Sequence, residues 1–285
     1  MSEYKMPVRE QNSNKGSFGK LLNFAGSKNY IGAAYLSTIS AFKIGTGFVA
    51  LATEKEIMNS VASLVPEAVF LTREDGLKYI DEFNVCSIGC GLGRDIKAVT
   101  LFRKVISKLQ KRAIPLIIDA DGINILAKLR AEQDKDILAL KKRAYHNDIE
   151  APSYILTPHP LEAARLLSKS LGEVLSDLEG SAKEISEQYN CITVLKTHRT
   201  IIANKDGIYV NQNGNSALAK AGSGDVLTGI ISGLLAQKMG LYEAAKLGVY
   251  LHSRAGEIAS EDLTEYSVQA SDLFKYLPKA IKEIL

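Results

Sequence analysis

Short apolar segments alternate along the chain with longer segments of helical periodicity, and this alternation constrains the fold more than any other feature. Residues 21–25 and 116–119 are compact apolar runs typical of buried strands, whereas 95–111 repeats apolar residues at the spacing of an amphipathic helix. Strands joined by helices through short connections are typical of a parallel sheet covered by helices. The sequence therefore predicts an α/β fold, with a doubly wound, mostly parallel sheet flanked by helices on both faces.

The same patterns give the expected order of elements. Strands are predicted at 21–25, 48–52, 67–71, 85–88, 116–119 and 154–156, followed by a hairpin or meander at 191–195, 200–203 and 208–211. Helices are predicted at 30–44, 54–64, 75–82, 95–111, 162–168, 181–189, 226–236, 242–260 and 271–285. Residues 131–150, with the basic run 141–143, are interpreted as a solvated helix and loop. Residues 1–14 are expected to be a tail or a surface helix, and 15–285 a single domain.

Composition excludes several classes of protein. The net charge of +3 comes without a strong basic run, so nucleic-acid binding is not indicated. No apolar run approaches the ~20 residues of a membrane span, so no membrane association is predicted. Three cysteines, Cys86, Cys90 and Cys191, form no pairing pattern, which favours a reducing, cytoplasmic setting. All three are interpreted as structural.

Several predicted strands end in glycine or polar residues, and ligands of open α/β sheets bind beyond the carboxyl ends of strands. Asp119, Asp121 and Asn124 follow one strand and begin the next helix. Helix capping, for which Asp121 is well suited, and ligand contact explain them equally well. His159 lies between two prolines in a stiff loop, which suits ligand recognition; a surface turn histidine is the alternative.

The segment 221–225, Ala-Gly-Ser-Gly-Asp, leads into an apolar helix. The backbone N–H groups of Gly222, Ser223 and Gly224 at a helix start form an anion site. Asp225 would repel a bound anion unless a metal or a proton-donating substrate lay between them, which indicates phosphoryl transfer. Simple helix capping by Asp225 is the alternative. Gly229 and Gly233 lie four residues apart on one helix face and predict close approach of another backbone or a ligand.

Other patterns are less decisive. Residues 196–200, Lys-Thr-His-Arg-Thr, are rich in donors and either pair with phosphates or form a solvated hairpin turn. His252, within an apolar helix, is interpreted as a packed residue. Residues 89–93 lack the spacing of a dinucleotide-binding loop, and neither a P-loop nor a Gly-x-Ser-x-Gly elbow occurs.

Taken in order, these motifs resemble the ADP/ATP-dependent NAD(P)H-hydrate dehydratases, a branch of the ribokinase-like superfamily. The resemblance rests on residues 15–19, 25–27, 32–34, 45–47, 88–93, 118–121, 156–160 and 222–225 and extends over about 15–277. It matches the free-standing dehydratase without the epimerase domain of many relatives. It implies that a hydroxyl of the S-epimer of hydrated NADH or NADPH is phosphorylated from ADP, or from ATP in many eukaryotic members. Loss of phosphate then restores NAD(P)H and leaves AMP when ADP is the donor.

The resemblance also implies roles for residues. Asp225 would accept the proton of the substrate hydroxyl, and the N–H groups of Gly222, Ser223 and Gly224 would hold the phosphoryl group. The hydrated cofactor would contact Ala34, Gly93, His159 and Asp225, with Gly91, Asp119, Asp121 and Asn124 as secondary candidates. The adenine nucleotide would contact Lys196, Thr197, His198, Arg199, Thr200 and Gly224. Mg²⁺ would neutralise the nucleotide phosphates without a dedicated set of protein ligands.

The chain departs from the family pattern at four positions. Relatives usually have Lys-Gly-x-x-Thr at 196–200, so Thr197 replaces a glycine, and they usually have Gly-Gly-Thr-Gly-Asp at 221–225. Ala221 therefore replaces glycine, and Ser223 keeps the hydroxyl of threonine. Cys90 stands where proline is common. The nucleotide contacts are affected more than the proposed base.

Expected partners are the two small-molecule substrates, a separate epimerase and further copies of the chain, for example in a tetramer. Two other functions fit parts of the pattern. A ribokinase-like kinase of a vitamin precursor or sugar would share the Gly-Asp motif but release a phosphorylated product. A non-catalytic nucleotide sensor would not need Asp225, so the presence of this carboxylate favours an enzyme.

Overall fold

Nine strands form one sheet in the computed structural model of the chain, which describes residues 4–110, 112, 114–140 and 153–285. In chain order they are β1 (Lys20–Phe24), β2 (Phe48–Thr53), β3 (Val69–Thr72), β4 (Val85–Ile88), β5 (Leu116–Ile118), β6 (Tyr154–Leu156), β7 (Ile192–Leu195), β8 (Ile201–Asn204) and β9 (Gly207–Val210). Their order across the sheet is β3-β2-β1-β4-β5-β6-β7-β8-β9. Neighbours from β3 to β7 are parallel, whereas β8 is antiparallel to β7 and to β9. The predicted mostly parallel sheet and its final meander are confirmed.

Helices cover both faces of this sheet. They are α1 (Ile31–Lys43), α2 (Met58–Ala62), α3 (Arg73–Tyr79), α4 (Ile96–Leu109), α5 (Ala120–Ala131), α6 (Lys135–Leu140), α7 (Pro160–Leu167), α8 (Leu171–Ser176), α9 (Leu178–Tyr189), α10 (Ser223–Ala236), α11 (Leu241–Ser267) and α12 (Leu273–Lys282). Among the described residues, none of these helices has both the length and the apolar composition that crossing a membrane requires.

Alternation along the strands divides the core into two layers. In β1, Leu22 and Phe24 pack with residues of α4, α5, α7 and α9, whereas Leu21 packs with residues of α10, α11 and α12. All three side chains are fully buried. Burial on both faces explains why the strands read as continuous apolar runs rather than as an alternating pattern. The expected helical layer on each face is confirmed.

The strand order reverses between β1 and β4, and the loops after these two strands meet at that point. The Gly26 N–H, after β1, donates to the Cys90 carbonyl, after β4, at 2.8 Å. Ser27 Oγ donates to the Gly91 carbonyl at 2.9 Å. A crevice at such a reversal is the usual ligand-binding position of an open α/β sheet.

The two small residues of α10 that predicted a close approach face another helix. A Cβ on Gly229 would lie 2.3 Å from the Ser37 carbonyl oxygen, and one on Gly233 would lie 2.3 Å from a methyl group of Ile44. Ser37 lies within α1 and Ile44 at its end. These glycines therefore allow α10 to pack closely against α1. Of the two predicted alternatives, close approach of another backbone, and not of a ligand, is the one observed.

Some predicted boundaries were wrong. The helix at 54–64 is a 3₁₀ turn, Lys55–Ile57, followed by the short α2, which ends before the restricted Val65–Pro66 pair. Residue 131 is the last residue of α5 and not the start of the predicted helix and loop at 131–150. Gln133 then adopts a left-handed φ of 59°, and α6 begins after it. The basic run 141–143 lies outside the described residues.

The described part of the predicted tail, 4–14, contains no helix and packs on the domain. Tyr4 stacks on Tyr250 of α11 with ring centroids 4.0 Å apart. Arg9 lies over the Phe18 ring at 3.6 Å and donates to the Gly45 carbonyl at 2.8 Å. The segment is therefore neither the expected surface helix nor a loosely held tail, because these contacts hold it against the rest of the chain.

Candidate functional site

The start of α10 presents backbone donors at the carboxyl edge of the sheet. Gly222 precedes the helix with φ of 91°, a conformation that favours glycine, and a Cβ there would meet a methyl group of Leu36 at 2.4 Å. The Ser223 N–H donates to the Lys220 carbonyl at 3.2 Å. Among the described residues no acceptor takes the N–H groups of Gly224 and Asp225. The same holds for the Gly222 N–H, so the predicted anion site keeps the donors of Gly222 and Gly224, and only its Ser223 N–H is already used.

Lys196 lies over the same helix start. A Cβ built on Gly224 would be 3.5 Å from Lys196 Nζ, so the ammonium lies against the backbone that offers these donors. Lys196 directly follows β7, and its own N–H donates to the Pro158 carbonyl at 2.8 Å. A lysine ammonium and a helix N-terminus both favour an anion, so the two reinforce each other.

Asp119 holds the Lys196 ammonium from the end of β5. Asp119 Oδ1 accepts from Lys196 Nζ at 2.6 Å, and Oδ2 accepts from Thr228 Oγ1 at 2.8 Å. Burial alone would raise the pKa of Asp119, which is 1% exposed, but the Lys196 charge and the hydrogen bonds from Lys196, Thr157 and Thr228 outweigh it and lower the pKa. Asp119 is therefore a buried carboxylate that stays ionised.

Asp225 is half-buried beside this pair. Burial and the negative charge of Asp119 raise its pKa to about 6, and a hydrogen bond with Cys90 and the charge of Lys196 partly offset this. An ordinary aspartate has a pKa of about 3.9. Asp225 is therefore basic enough to accept a proton near neutral pH while it remains largely ionised there.

Cys90 is a buried thiol that hydrogen-bonds two carboxylates of this region, which agrees with its structural interpretation. Its Sγ lies 3.7 Å from Asp119 Oδ2, and it also hydrogen-bonds Asp225. Burial and the two carboxylates raise the pKa of this thiol, so it stays protonated and acts as a donor. Cys86 and Cys191 are also buried, and the structural interpretation stands for them too.

The loop after β4 adopts the conformations that only glycine accepts easily. Gly89 has φ of 129°, and a Cβ there would lie 1.9 Å from the Asp119 carbonyl oxygen. Gly91, with φ of 60°, packs against Tyr30. The Gly93 N–H donates to Asp121 Oδ2 at 2.9 Å. The predicted helix-capping role of Asp121 is wrong, because its carboxylate is used to hold this loop.

Two other predicted site residues take part in packing. Ala34 is completely buried, and a Cβ on Gly26 would lie 2.6 Å from its methyl group. Asn124 accepts from Arg165 at 2.5 Å and thereby ties α5 to α7. Their ligand contacts stay predictions, and a contact with Ala34, which is 0% exposed, would have to follow a movement of the loop at Gly26.

His159 begins α7, which explains its rigid position. Its Nδ1 accepts from the N–H of Leu161 at 3.2 Å, and Glu162 accepts from the His159 N–H at 2.9 Å, so the two side chains form a reciprocal cap. The His159 side chain is 45% exposed. Burial and the charge of Lys196 lower its pKa. His159 is therefore a neutral, fixed group at the edge of the site.

The segment after Lys196 forms a turn. Thr197 Oγ1 donates to the Arg199 carbonyl at 2.7 Å, and Thr200 Oγ1 donates to the Thr197 carbonyl at 3.3 Å. His198 and Arg199 are exposed. Lys196 therefore lies beside the start of α10, and 197–199 form the hairpin turn between β7 and β8, whose pairing with phosphates stays a prediction.

Sequence reasoning missed two polar residues of this region. Glu162 is 3% exposed, and burial raises its pKa to about 7 although Lys196 acts in the opposite direction. Thr228, one helical turn after Gly224, supplies the second hydrogen bond to Asp119. Its spacing from Gly224 on a helix was the available signal.

His252, expected to be packed, is 7% exposed and hydrogen-bonds Ser223 Oγ at 3.1 Å, and burial lowers its pKa to about 4.

One cluster of the described residues has the donor types of a metal site. Cys90, Asp119 and Asp225 each present a ligand atom, and these atoms lie within 4.8 Å of one another. Mg²⁺ prefers oxygen ligands in near-octahedral geometry. Both Asp119 oxygens already accept hydrogen bonds, and the third donor is a thiol, so the cluster does not fit a resident magnesium ion.

Known proteins are similar to this chain in sequence. The family model of the NAD(P)H-hydrate dehydratases matches residues 21–279. An ADP-dependent (S)-NAD(P)H-hydrate dehydratase of Neisseria meningitidis is 36% identical over 256 residues, which are 89% of this chain and 81% of that protein. A bifunctional NAD(P)H-hydrate repair enzyme of Thermofilum pendens is 34% identical over 98% of this chain and 53% of its own length. The chain thus spans about half the length of the bifunctional relatives it matches.

Solved structures agree with the expected ribokinase-like architecture. The ADP/ATP-dependent NAD(P)H-hydrate dehydratase of Bacillus subtilis, co-crystallised with ATP and Mg²⁺, has a TM-score of 0.81 and 31% identity, covering 98% of this chain and 95% of that one. A ribokinase-like superfamily protein of Enterococcus faecalis has a TM-score of 0.83 and 26% identity, covering 98% and 92%. The chain belongs to the NAD(P)H-hydrate dehydratase family, within the ribokinase-like superfamily.

Proposed function

We propose that this protein is an ADP-dependent dehydratase of the S-epimer of hydrated NADH and NADPH. The observation that carries the proposal is the pairing of Asp225, with its pKa raised to about 6, and the unused N–H groups at the start of α10. A base next to an anion site is what phosphorylation of a hydroxyl requires. The dehydratase names of the relatives support this choice of substrate.

In this mechanism the substrate hydroxyl lies between Asp225 and the transferred phosphoryl group. Asp225 accepts the hydroxyl proton as the oxygen attacks the terminal phosphorus of the nucleotide. The N–H groups of Gly224 and Asp225, together with Lys196, stabilise the charge on the phosphoryl oxygens. AMP leaves when ADP is the donor. Phosphate then departs from its ring carbon and the adjacent ring carbon loses a proton to solvent, which restores the double bond of the nicotinamide ring.

Each substrate has a proposed set of contacts. We assign the hydrated cofactor to the side of the crevice where β1 and β4 end, with Gly93 after β4, the backbone near Ala34 and His159 after β6 as its contacts. The adenine nucleotide takes the side of Lys196, Thr200 and Gly224, with 197–199 as the adjoining turn. Mg²⁺ accompanies the nucleotide phosphates, with water and phosphate oxygens as most of its ligands.

We further propose that 15–285 act as one catalytic domain in a cytoplasmic homo-oligomer, for example a tetramer. The existence of bifunctional repair enzymes among the relatives supports a separate epimerase as a functional partner. Size-exclusion chromatography with light scattering measures the assembly directly. A monomer at all concentrations would contradict the oligomer.

The test of function follows the near-ultraviolet absorbance of reduced nicotinamide. Hydrated NADH is incubated with the protein, ADP and Mg²⁺, and absorbance is expected to return. A stable phosphorylated product without restored absorbance would identify a kinase instead. ADP binding without any turnover would identify a sensor.

A further inference from the structure

We propose that Asp119 is a positioning residue that fixes the Lys196 ammonium over the start of α10 and leaves Asp225 free to accept a proton. The inference deepens the proposed function and rests on it for the identity of the reaction. It concerns a carboxylate that does not itself touch the reacting atoms, because both of its oxygens are occupied by Lys196 and Thr228.

The first support is the construction around Asp119. Its two carboxylate oxygens are held from opposite sides by Lys196 Nζ at 2.6 Å and Thr228 Oγ1 at 2.8 Å. Thr228 lies on α10 itself, so the helix that carries Asp225 also fixes the carboxylate that holds Lys196. The three side chains thus join β5, β7 and α10 through two hydrogen bonds.

Asp119 has no simpler structural use. It occupies the position before α5, yet its side chain makes no capping hydrogen bond there. A buried ion pair is expensive to desolvate and contributes little net stability by itself. Asp119 is 1% exposed, caps no helix and accepts a hydrogen bond from a lysine that lies next to unused backbone donors. Its role is therefore better explained by the placement of that lysine.

The charges around Asp225 explain why this placement matters. The groups that face Asp225 are Asp119, Cys90, Lys196 and Asp121. Without Asp119, the carboxylates left to attract the Lys196 ammonium are Glu162 and Asp225, and movement of the ammonium toward Asp225 would take it from its position over Gly224. That movement would lower the pKa of Asp225 and weaken it as a base.

The test is a double-mutant cycle of Asp119→Asn and Lys196→Ala. Asparagine keeps the size of the side chain and can still accept from Thr228. We expect Asp119→Asn to lower kcat by ~10²-fold, the scale of a misplaced catalytic group, with a smaller change in KM for hydrated NADH. If Asp119 acts through Lys196, adding Asp119→Asn to Lys196→Ala causes little further loss. Independent, multiplying losses would overturn the proposal.

A second measurement does not depend on turnover. The ¹³Cγ signal of Asp225 is titrated by NMR in the intact protein. Asp119→Asn is expected to move its midpoint to lower pH, and by more in the wild-type background than in the Lys196→Ala background, where only the direct loss of the Asp119 charge remains. Asp134→Asn is the matched control, because Asp134 is an ion-paired carboxylate that contacts Arg103 at 2.8 Å outside the site, and its loss should leave the titration of Asp225 unchanged. An unchanged midpoint in Asp119→Asn, or an equal shift in the presence and absence of Lys196, would overturn the proposal.

Two further outcomes are distinguishable. If the wild-type protein does not restore NADH but the Asp225 midpoint moves as expected, the proposed function fails and the positioning role stands. If Asp119→Asn does not fold, Thr228→Val replaces it, since valine has a similar shape and removes one hydrogen bond to Asp119. Thr228→Val is expected to shift the midpoint in the same direction by less, and no shift would overturn the proposal.

Discussion

Lys196 Nζ lies 2.6 Å from Asp119 Oδ1, and these two residues are 77 positions apart in the sequence. Their ion pair brings a cation from the end of β7 to the start of α10, where the N–H groups of Gly224 and Asp225 are unused. A cation, two backbone donors and a carboxylate of raised pKa are thereby assembled in one place. This combination can stabilise a transferred phosphoryl group and accept the proton of its acceptor.

Replacement of Asp225 by asparagine tests the base. Asparagine keeps the shape of the side chain but cannot accept the hydroxyl proton at neutral pH. We expect kcat to fall by ~10²–10⁴-fold while ADP binding, measured by calorimetry, stays within a small factor of wild type. Turnover equal to that of wild type would contradict the assignment.

The pH dependence of kcat/KM gives a second test. The pKa of Asp225 is raised to about 6, and the ionised form is the active one. Activity is therefore expected to be constant above this pH and to fall as the pH decreases through about 6. A profile whose acid limb lies near the ordinary aspartate pKa of about 3.9 would show that the environment of Asp225 is not the one described.

Glu162 predicts a pH-dependent stability. Burial raises its pKa to about 7 in the folded protein, above the ~4.3 of an unfolded chain. The folded state thus binds the Glu162 proton more tightly than the unfolded chain does. The contribution of this proton to the free energy of unfolding is complete below pH ~4 and is lost as the pH rises through about 7. The contribution is on the order of 3 kcal/mol.

The matched variant for this effect is Glu162→Gln, which can still accept from the His159 N–H but does not titrate. Denaturant unfolding at pH 5 and pH 8 is expected to show a smaller stability difference in the variant than in wild type. An equal difference in both proteins would assign the pH dependence to other groups.

Substitution of Gly229 tests the packing of α10 on α1, with Gly32 as the control position. A Cβ on Gly229 would lie 2.3 Å from the Ser37 carbonyl oxygen, so Gly229→Ala is expected to destabilise the protein by ~1–3 kcal/mol. The control is Gly32→Ala in α1, where a Cβ meets nothing within 4 Å. Thermal unfolding should show a lower midpoint for Gly229→Ala and none of that loss for Gly32→Ala. Equal midpoints in the two variants would refute the close contact.

The sequence was sufficient for the sheet and for the glycine turns that border the crevice. Buried parallel strands are apolar on both faces, so 21–25 and 116–119 could be recognised without knowledge of their neighbours. Helix α8 was missed although Ser170 and Glu173 form a capping box that the sequence displays. The capping box is a local signal, but a helix of only six residues is too short to show a clear helical periodicity.

The polar contacts of the site could not be predicted in the same way. The Asp119–Lys196 pair and the hydrogen bond from Thr228 join segments that are distant in the chain, and no periodicity specifies which donors meet. Asp121 has the residue type of a helix cap, yet the position of the Gly93 loop gives its carboxylate another use. Glu162 is polar and three residues from a proline-flanked histidine, and only the fold shows that it is buried.

The most direct test of the proposed reaction is its stoichiometry. Phosphorus NMR of a mixture of the protein, hydrated NADH, ADP and Mg²⁺ measures AMP and inorganic phosphate, while absorbance measures restored NADH in the same sample. One AMP and one phosphate are expected for each NADH formed, and neither product should accumulate without hydrated NADH. Consumption of ADP with a persistent phosphate ester and no restored NADH would contradict the proposed dehydration.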